Sequence, residues 1–155
     1  MMNSKFAKLI GDVERLHQEL ISMAPVTRDN LGACGYPGVY LFTEKRRHLY
    51  CGRTKRPLKM RLLEHSRPSV KDAPFAFRLA REVTGNRTAS YKQDDKSRKE
   101  LMKNPVFVAA LKKQKERIAK MPIRYVQVDD PTTQVLLEIY TATVLNTPYN
   151  EFETS

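Results

Sequence analysis

Two short β-rich runs, each bounded by a glycine, most constrain what this chain can fold into. Gly38-Val39-Tyr40-Leu41-Phe42 opens the first, and Leu49-Tyr50-Cys51-Gly52 closes the second. Between them Thr43-Glu44-Lys45-Arg46-Arg47 is a polar turn. Aromatic and β-branched residues fit a pleated, half-buried surface, and a polar turn between two such runs reads as a hairpin. Pairing Phe42 with His48 sets Tyr40 directly opposite Tyr50, and opposed residues project to the same side. Two phenols then stand on one face, while Val39, Leu41, Leu49 and Cys51 fill the other. A slip of one residue would send every side chain to the wrong face, so much rests on this register.

Behind the hairpin, Arg53-Thr54-Lys55-Arg56-Pro57 leads into a helix. Proline suits a first turn, where a missing N–H costs nothing. Leu58 and Leu62 make an apolar stripe, and Arg61 and His65, four residues apart, border it. An arginine at such an edge can lay its stem on the core and offer its guanidinium to a phosphate oxygen. The plain alternative is an Arg61 paired with an acid and a His65 on the surface.

Taken together, these residues resemble the GIY-YIG nuclease family. Gly38-Val39-Tyr40 stands where that family has its first triplet, and Tyr50-Cys51-Gly52 stands at the second, with nine residues between. Cys51 replaces the usual aliphatic residue, a tolerable buried exchange. Arg61 and His65 look like the family's helical arginine and the histidine that often follows it. The resemblance implies one α+β domain over residues 1–155, a small three-stranded antiparallel sheet flanked by helices. It also implies metal-dependent cleavage of nucleic-acid phosphodiesters.

The rest of the chain supplies the flanking elements. Residues 3–22 form an amphipathic helix, with Phe6, Leu9, Ile10, Val13, Leu16, Leu20 and Ile21 inward, Asn3 or Ser4 as cap and His17 toward solvent. Residues 23–37 connect it to the hairpin (38–65, with its helix). Residues 66–121 read as an insertion with two helices. The first, 74–83, packs through Phe75 and Leu79, with Phe77 a further candidate. A polar, mobile loop over 86–99 follows. The second helix, 105–120, turns Phe107, Val108, Leu111 and Ile118 inward and Lys112, Lys113, Lys115, Arg117 and Lys120 outward.

Residues 122–150 hold a third strand, Ile123–Val128, and a last helix, Thr132–Leu145, capped by Asp130 with Pro131 in the first turn. Its buried stripe is expected to be Val135, Ile139 and Ala142, and Glu138, its only charged residue, borders that stripe. A carboxylate there requires a partner, either a basic side chain or a divalent cation. In the resemblance Glu138 matches the metal-ligand glutamate after the third strand. Asn146 reads as a helix stop. Asn150 matches the asparagine with which the family often closes. Residues 151–155 are an acidic tail.

The charge is unevenly distributed. The net value is +11 from 28 basic and 17 acidic residues; residues 45–67 hold nine Lys or Arg and one acid, whereas 125–155 hold no Lys or Arg. A polyanion is the natural partner of such a surface. Arg53, Lys55, Arg56, Lys112 and Lys113 are the nucleic-acid-binding candidates, with DNA as the partner and RNA as the alternative. No apolar run approaches the roughly 18 residues of a membrane span, and the start has no signal-peptide core. Cys34 and Cys51 are too few for a disulfide scaffold or zinc site and read as reduced thiols in a cytoplasmic protein.

The expected chemistry is phosphodiester hydrolysis. Glu138 offers one hard oxygen ligand for Mg²⁺ or Mn²⁺. Arg61 would clamp non-bridging oxygens. Either Tyr40 or Tyr50 would act on the water, a role their residue types leave undivided. The catalytic candidates are therefore Tyr40, Tyr50, Arg61, His65, Glu138 and Asn150. The alternative is a non-catalytic nucleic-acid-binding module of the same fold.

Overall fold

The computed structural model describes residues 2–68, 73–86 and 98–152. It shows an α+β protein with a three-stranded antiparallel sheet and six α-helices among those residues. The chain divides into two compact units, Met1–Leu62 with Met121–Ser155, and Leu63–Lys120. The second nearly coincides with the interval read as an insertion.

In the first unit, β1 (Gly38–Glu44) lies between β2 (Arg47–Thr54) and β3 (Ile123–Gln127). The hairpin register differs from the expected one. Phe42 opposes Tyr50, Tyr40 opposes Gly52, and Thr43 opposes His48, with a bulge between Phe42 and Thr43 that leaves Leu49 as the extra residue. Tyr40 therefore faces Tyr50 diagonally rather than directly. The displacement is two residues, so each side chain keeps its face. Val39, Leu41 and Cys51 do pack together in the core, against Val13, Leu16 and Leu20 of α1 (Ser4–Ser22) and Leu137 and Ala142 of α6 (Pro131–Leu145).

Capping explains most helix boundaries. Asn3 Oδ1 accepts from the N–H groups of Lys5 and Phe6, and Asp130 accepts from the Thr133 N–H and hydroxyl. Asn146 ends α6 in the left-handed conformation, which asparagine tolerates better than most residues. The helix α2 (Leu58–Glu64) starts on main-chain carbonyls instead: Leu58 N–H donates to Tyr36 O and Lys59 N–H to Cys34 O.

Two helix faces depart from the apolar pattern. His17 is buried, not solvent-facing; its Nδ1 lies 2.9 Å from Thr141 Oγ1 and its ring meets Tyr140 edge-on. On α6 the buried residues are Thr133, Gln134, Leu137, Thr141 and Ala142, while Ile139 is exposed. The helix is apolar nearly all round, so its orientation follows its polar side chains. Gln134 Nε2 donates to Thr54 O at 3.1 Å and Val128 O at 2.6 Å. Buried carbonyls need such partners, and an apolar residue could not supply them.

The second unit contains α3 (Pro74–Val83), α4 (Arg98–Leu101) and α5 (Pro105–Ile118). Phe75, Phe77, Leu79, Leu101, Phe107, Leu111 and Ile118 are buried. Phe77 and Phe107 pack edge-to-face, and the guanidiniums of Arg81 and Arg98 sit over the Phe77 ring at 4.8 and 4.2 Å. Lys112 and Lys113 are exposed as expected. Val108 is 40% exposed and Lys115 is buried, the reverse of the periodicity reading. Lys115 Nζ donates to Arg67 O at 2.9 Å, which a long stem permits. Most of the polar loop read over 86–99, and residues 153–155 of the tail, lie outside the described residues.

Burial lowers the pKa of His17; it also lowers that of His48, where Arg124 and then His17 add to the effect. Thr141 and Tyr140 face His17, and Thr43 faces His48. The unfolded chain therefore binds these protons more readily than the folded one. This costs nothing above the unfolded pKa of about 6.5; below it stability falls until the folded pKa is passed. Tm should decline as pH drops from about 7.5 to 5.5, and His17→Gln should flatten part of that decline. A pH-independent Tm across this window in the wild type would contradict the buried neutral imidazoles.

Candidate active site

The site is built where Gly52 leaves the sheet without a side chain. A Cβ at position 52 would collide with Cζ and the hydroxyl of Tyr40. Glycine thus lets the phenol lie against β2. Gly38 has a parallel role: a Cβ there would meet the carbonyl of Val126 and come within 2.8 Å of Leu58 Cδ1. Each glycine of the two triplets is a steric requirement of close packing.

Around that space the structure brings together four of the expected residues. Tyr40 is buried, with its ring centroid 6.5 Å from that of Tyr50 at a tilt of 47°. The half-buried Arg61 hydrogen-bonds the Tyr40 phenol. Glu138 is close enough to act electrostatically on Tyr40 and on Cys51. Its carboxylate, 18% exposed, lies 3.7 Å from Arg53 Nε. The acid therefore has a basic partner, one of the two kinds expected. Arg53 and Glu138 come from the face covered by α6, the tyrosines from the opposite face, and β2 is the edge strand between them.

The electrostatics hold the Tyr40 phenol neutral. Burial pushes the Tyr40 pKa well above its ordinary value; Tyr50 and Glu138 add to the rise, and Arg61 opposes it. Tyr40 is thus a neutral O–H donor at neutral pH. Burial and then Glu138 raise Cys51 well above the usual thiol range, so its thiol is inert. Cys34 and Cys51 are both free and buried.

Asn150 and His65 complete the expected set. Asn150 does not turn its side chain to the tyrosines. Its Oδ1 accepts from Cys51 N–H at 2.8 Å and Thr147 Oγ1 at 2.7 Å, and its Nδ2 donates to Cys51 O at 2.7 Å. The side chain mimics a neighbouring strand and closes the open edge of β2, which otherwise exposes main-chain groups. It positions Cys51, which lies between Tyr50 and Gly52. His65 lies one residue beyond α2, is fully buried, and belongs to the second unit. Its burial rules out the surface position that was the plain alternative. Arg53, Lys55 and Arg56 are exposed as expected.

Tyr125 escaped the sequence reading. It opposes Tyr40 across β1 and β3 and therefore shares its face. Its hydroxyl engages Cys34, and burial followed by Cys34 raises its pKa. Only the alternation of β3 together with a register could have found it.

Among the described residues, no three His, Cys, Asp or Glu side chains gather to hold an ion. Glu138 is a single hard-oxygen donor. It fits a cation that keeps its waters and shares a substrate phosphate, and not one that needs a protein cage. No helix among the described residues is long and apolar enough to cross a membrane. No protein-family description, curated protein or solved structure matches the chain.

Gly52→Ala should destabilise the protein by about 1–3 kcal/mol, because Tyr40 or β2 must move. In a Tyr40→Ala background the same change should cost much less. Urea denaturation of the four proteins in this cycle measures the coupling. Additive effects would show that Gly52 and Tyr40 are independent.

Proposed function

We propose that the chain is a GIY-YIG nuclease that hydrolyses DNA phosphodiester bonds. The observation that carries the reading is the Arg61 guanidinium hydrogen-bonded to the buried Tyr40 phenol, with Tyr50 beside it and Glu138 within electrostatic reach. A guanidinium so held is already oriented, and its planar fork suits the non-bridging oxygens of a phosphate. Glu138 would hold Mg²⁺ or Mn²⁺, which when bound stabilises charge at phosphorus. Tyr40 keeps its proton and orients by donating a hydrogen bond. Tyr50, beside it, would act on the proton of the attacking water. Arg53, Lys55 and Arg56 would receive the flanking phosphates. RNA remains a second substrate to test. Two free buried thiols accord with a cytoplasmic location.

One observation favours a second reading, a nucleic-acid-binding module without cleavage. Arg53 already pairs with Glu138, and a cation would have to compete with that pair.

With Mn²⁺ present, the wild type should nick plasmid DNA, and Glu138→Ala and Arg61→Ala should each slow nicking by about 100-fold or more. Salt-sensitive gel shift in EDTA without cleavage in Mn²⁺ would favour the binding module. If plasmid, single-stranded and branched DNA all survive and none is bound, both readings fall.

A further inference from the structure

The tip of the β1–β2 hairpin holds strain that a different sequence would relieve. Lys45 and Arg46 occupy the two-residue loop between the strands, with φ of 52° and 65°. A loop of this length matches the strand twist when both central residues have positive φ, which is why Asn-Gly or Asp-Gly favour it. A side chain beyond glycine, asparagine or aspartate is disfavoured there. Here both loop residues and the next one, Arg47, are exposed cations. Charge thus stands where backbone geometry asks for small residues, and strain of this kind concentrates at functional positions.

We propose that this tip is a second anchor for duplex nucleic acid, gripping its phosphate backbone about three nucleotides from the phosphate held at Arg61. The inference rests on the nuclease reading and extends it to a substrate class. Tyr40 and Lys45 are five residues apart along one chain, roughly 17 Å at strand rise. Phosphates along one DNA strand rise about 3.4 Å of axis per step while winding around it, so a straight span of this length covers about three. A duplex is stiff over such a length and can be held at two points without first being ordered. A flexible acidic peptide would need that ordering, and a membrane surface would make no use of an anchor at Arg61. Between the two anchors, the substrate's direction across the site is fixed.

The test uses two variants of the full chain. Lys45→Asn/Arg46→Gly removes both charge and strain; Lys45→Gln/Arg46→Gln removes charge alone. Binding to a duplex of about 30 base pairs is measured in EDTA across a salt series, so that cleavage plays no part. Both variants should lose about tenfold in affinity near 0.1 M salt, and the slope of log K against log salt should become shallower by about 2. The Asn-Gly variant should also melt about 4 °C higher, which separates lost binding from damaged folding. Wild-type affinity and slope in the Gln-Gln variant would overturn the inference, as would tip-dependent capture by phosphatidylserine vesicles with unchanged duplex binding. If the wild type binds duplex and both variants match it, the tip anchor fails while the nuclease reading stands. If the wild type binds no nucleic acid at all, both fail together.

Discussion

Tyr40 lies against β2 because residue 52 has no side chain, and much of the first unit follows from that contact. A Cβ at Gly52 would occupy the phenol's place, and a Cβ at Gly38 would strike Val126 O and crowd Leu58. The second of these relations lets α2 approach the start of β1. Leu58 and Leu62 then bury themselves fully, and Arg61, between them in the helix, reaches the Tyr40 hydroxyl. Two glycines fourteen positions apart thus set the distance from sheet to helix, and that distance sets where the guanidinium stands. Residues with no side chain do the positioning for residues whose side chains carry charge.

The two triplets and the helix behind them were legible because each depends on local chemistry. Strand propensity, a polar turn and a proline before a helix are all read from neighbours in sequence. The register was not legible, because the two-residue turn at Lys45-Arg46 shifts the pairing by one and the bulge at Leu49 by one more, with no glycine to mark either. The resulting offset of two residues preserved the faces, so the tyrosines still share a side. The orientation of α6 was hidden for a different reason. Its apolar residues surround the helix, and period counting has nothing to select among them. His17 read as a surface residue, and it is buried, as are Thr141 and Gln134, because each finds a distant partner. Asn150 was noticed for its place in a pattern, and its service to Cys51 became visible only through the edge strand it closes. Such pairings lie in tertiary geometry, which residue type alone does not encode.

The charges around Glu138 form a balanced set. Arg53 pairs with the carboxylate, and Glu138 opposes ionisation of Tyr40. With Glu138 anionic and Tyr40 buried, the phenol stays protonated, while Arg61 acts in the opposite sense. Any ligand that neutralises Glu138 removes one of the three influences that raise the Tyr40 pKa. A phosphate drawn to Arg61 acts in the opposite sense, since it adds negative charge beside the phenol. A phosphate and a cation arriving together would leave the balance less disturbed than either alone. In the proposed nuclease, this would suit a site in which Glu138 is the one carboxylate offered and substrate supplies the remaining oxygen ligands.

The orientation of α6 ties this balance to the fold. A helix that is apolar on nearly every side can bury alternative stripes at similar gain, since burial is non-directional. Gln134 breaks that degeneracy by donating to Thr54 O and Val128 O, which end two different strands. Rotating the helix to bury Ile139 instead would strip both carbonyls of this donor in a place water does not reach, a penalty of about 1–3 kcal/mol for each. Glu138 stands four residues further on, one turn along the same side of the helix. The hydrogen bonds that fix the rotation of α6 therefore also aim its single charge toward Arg53 and the tyrosines. A buried polar residue far from any chemistry decides which way the acid points.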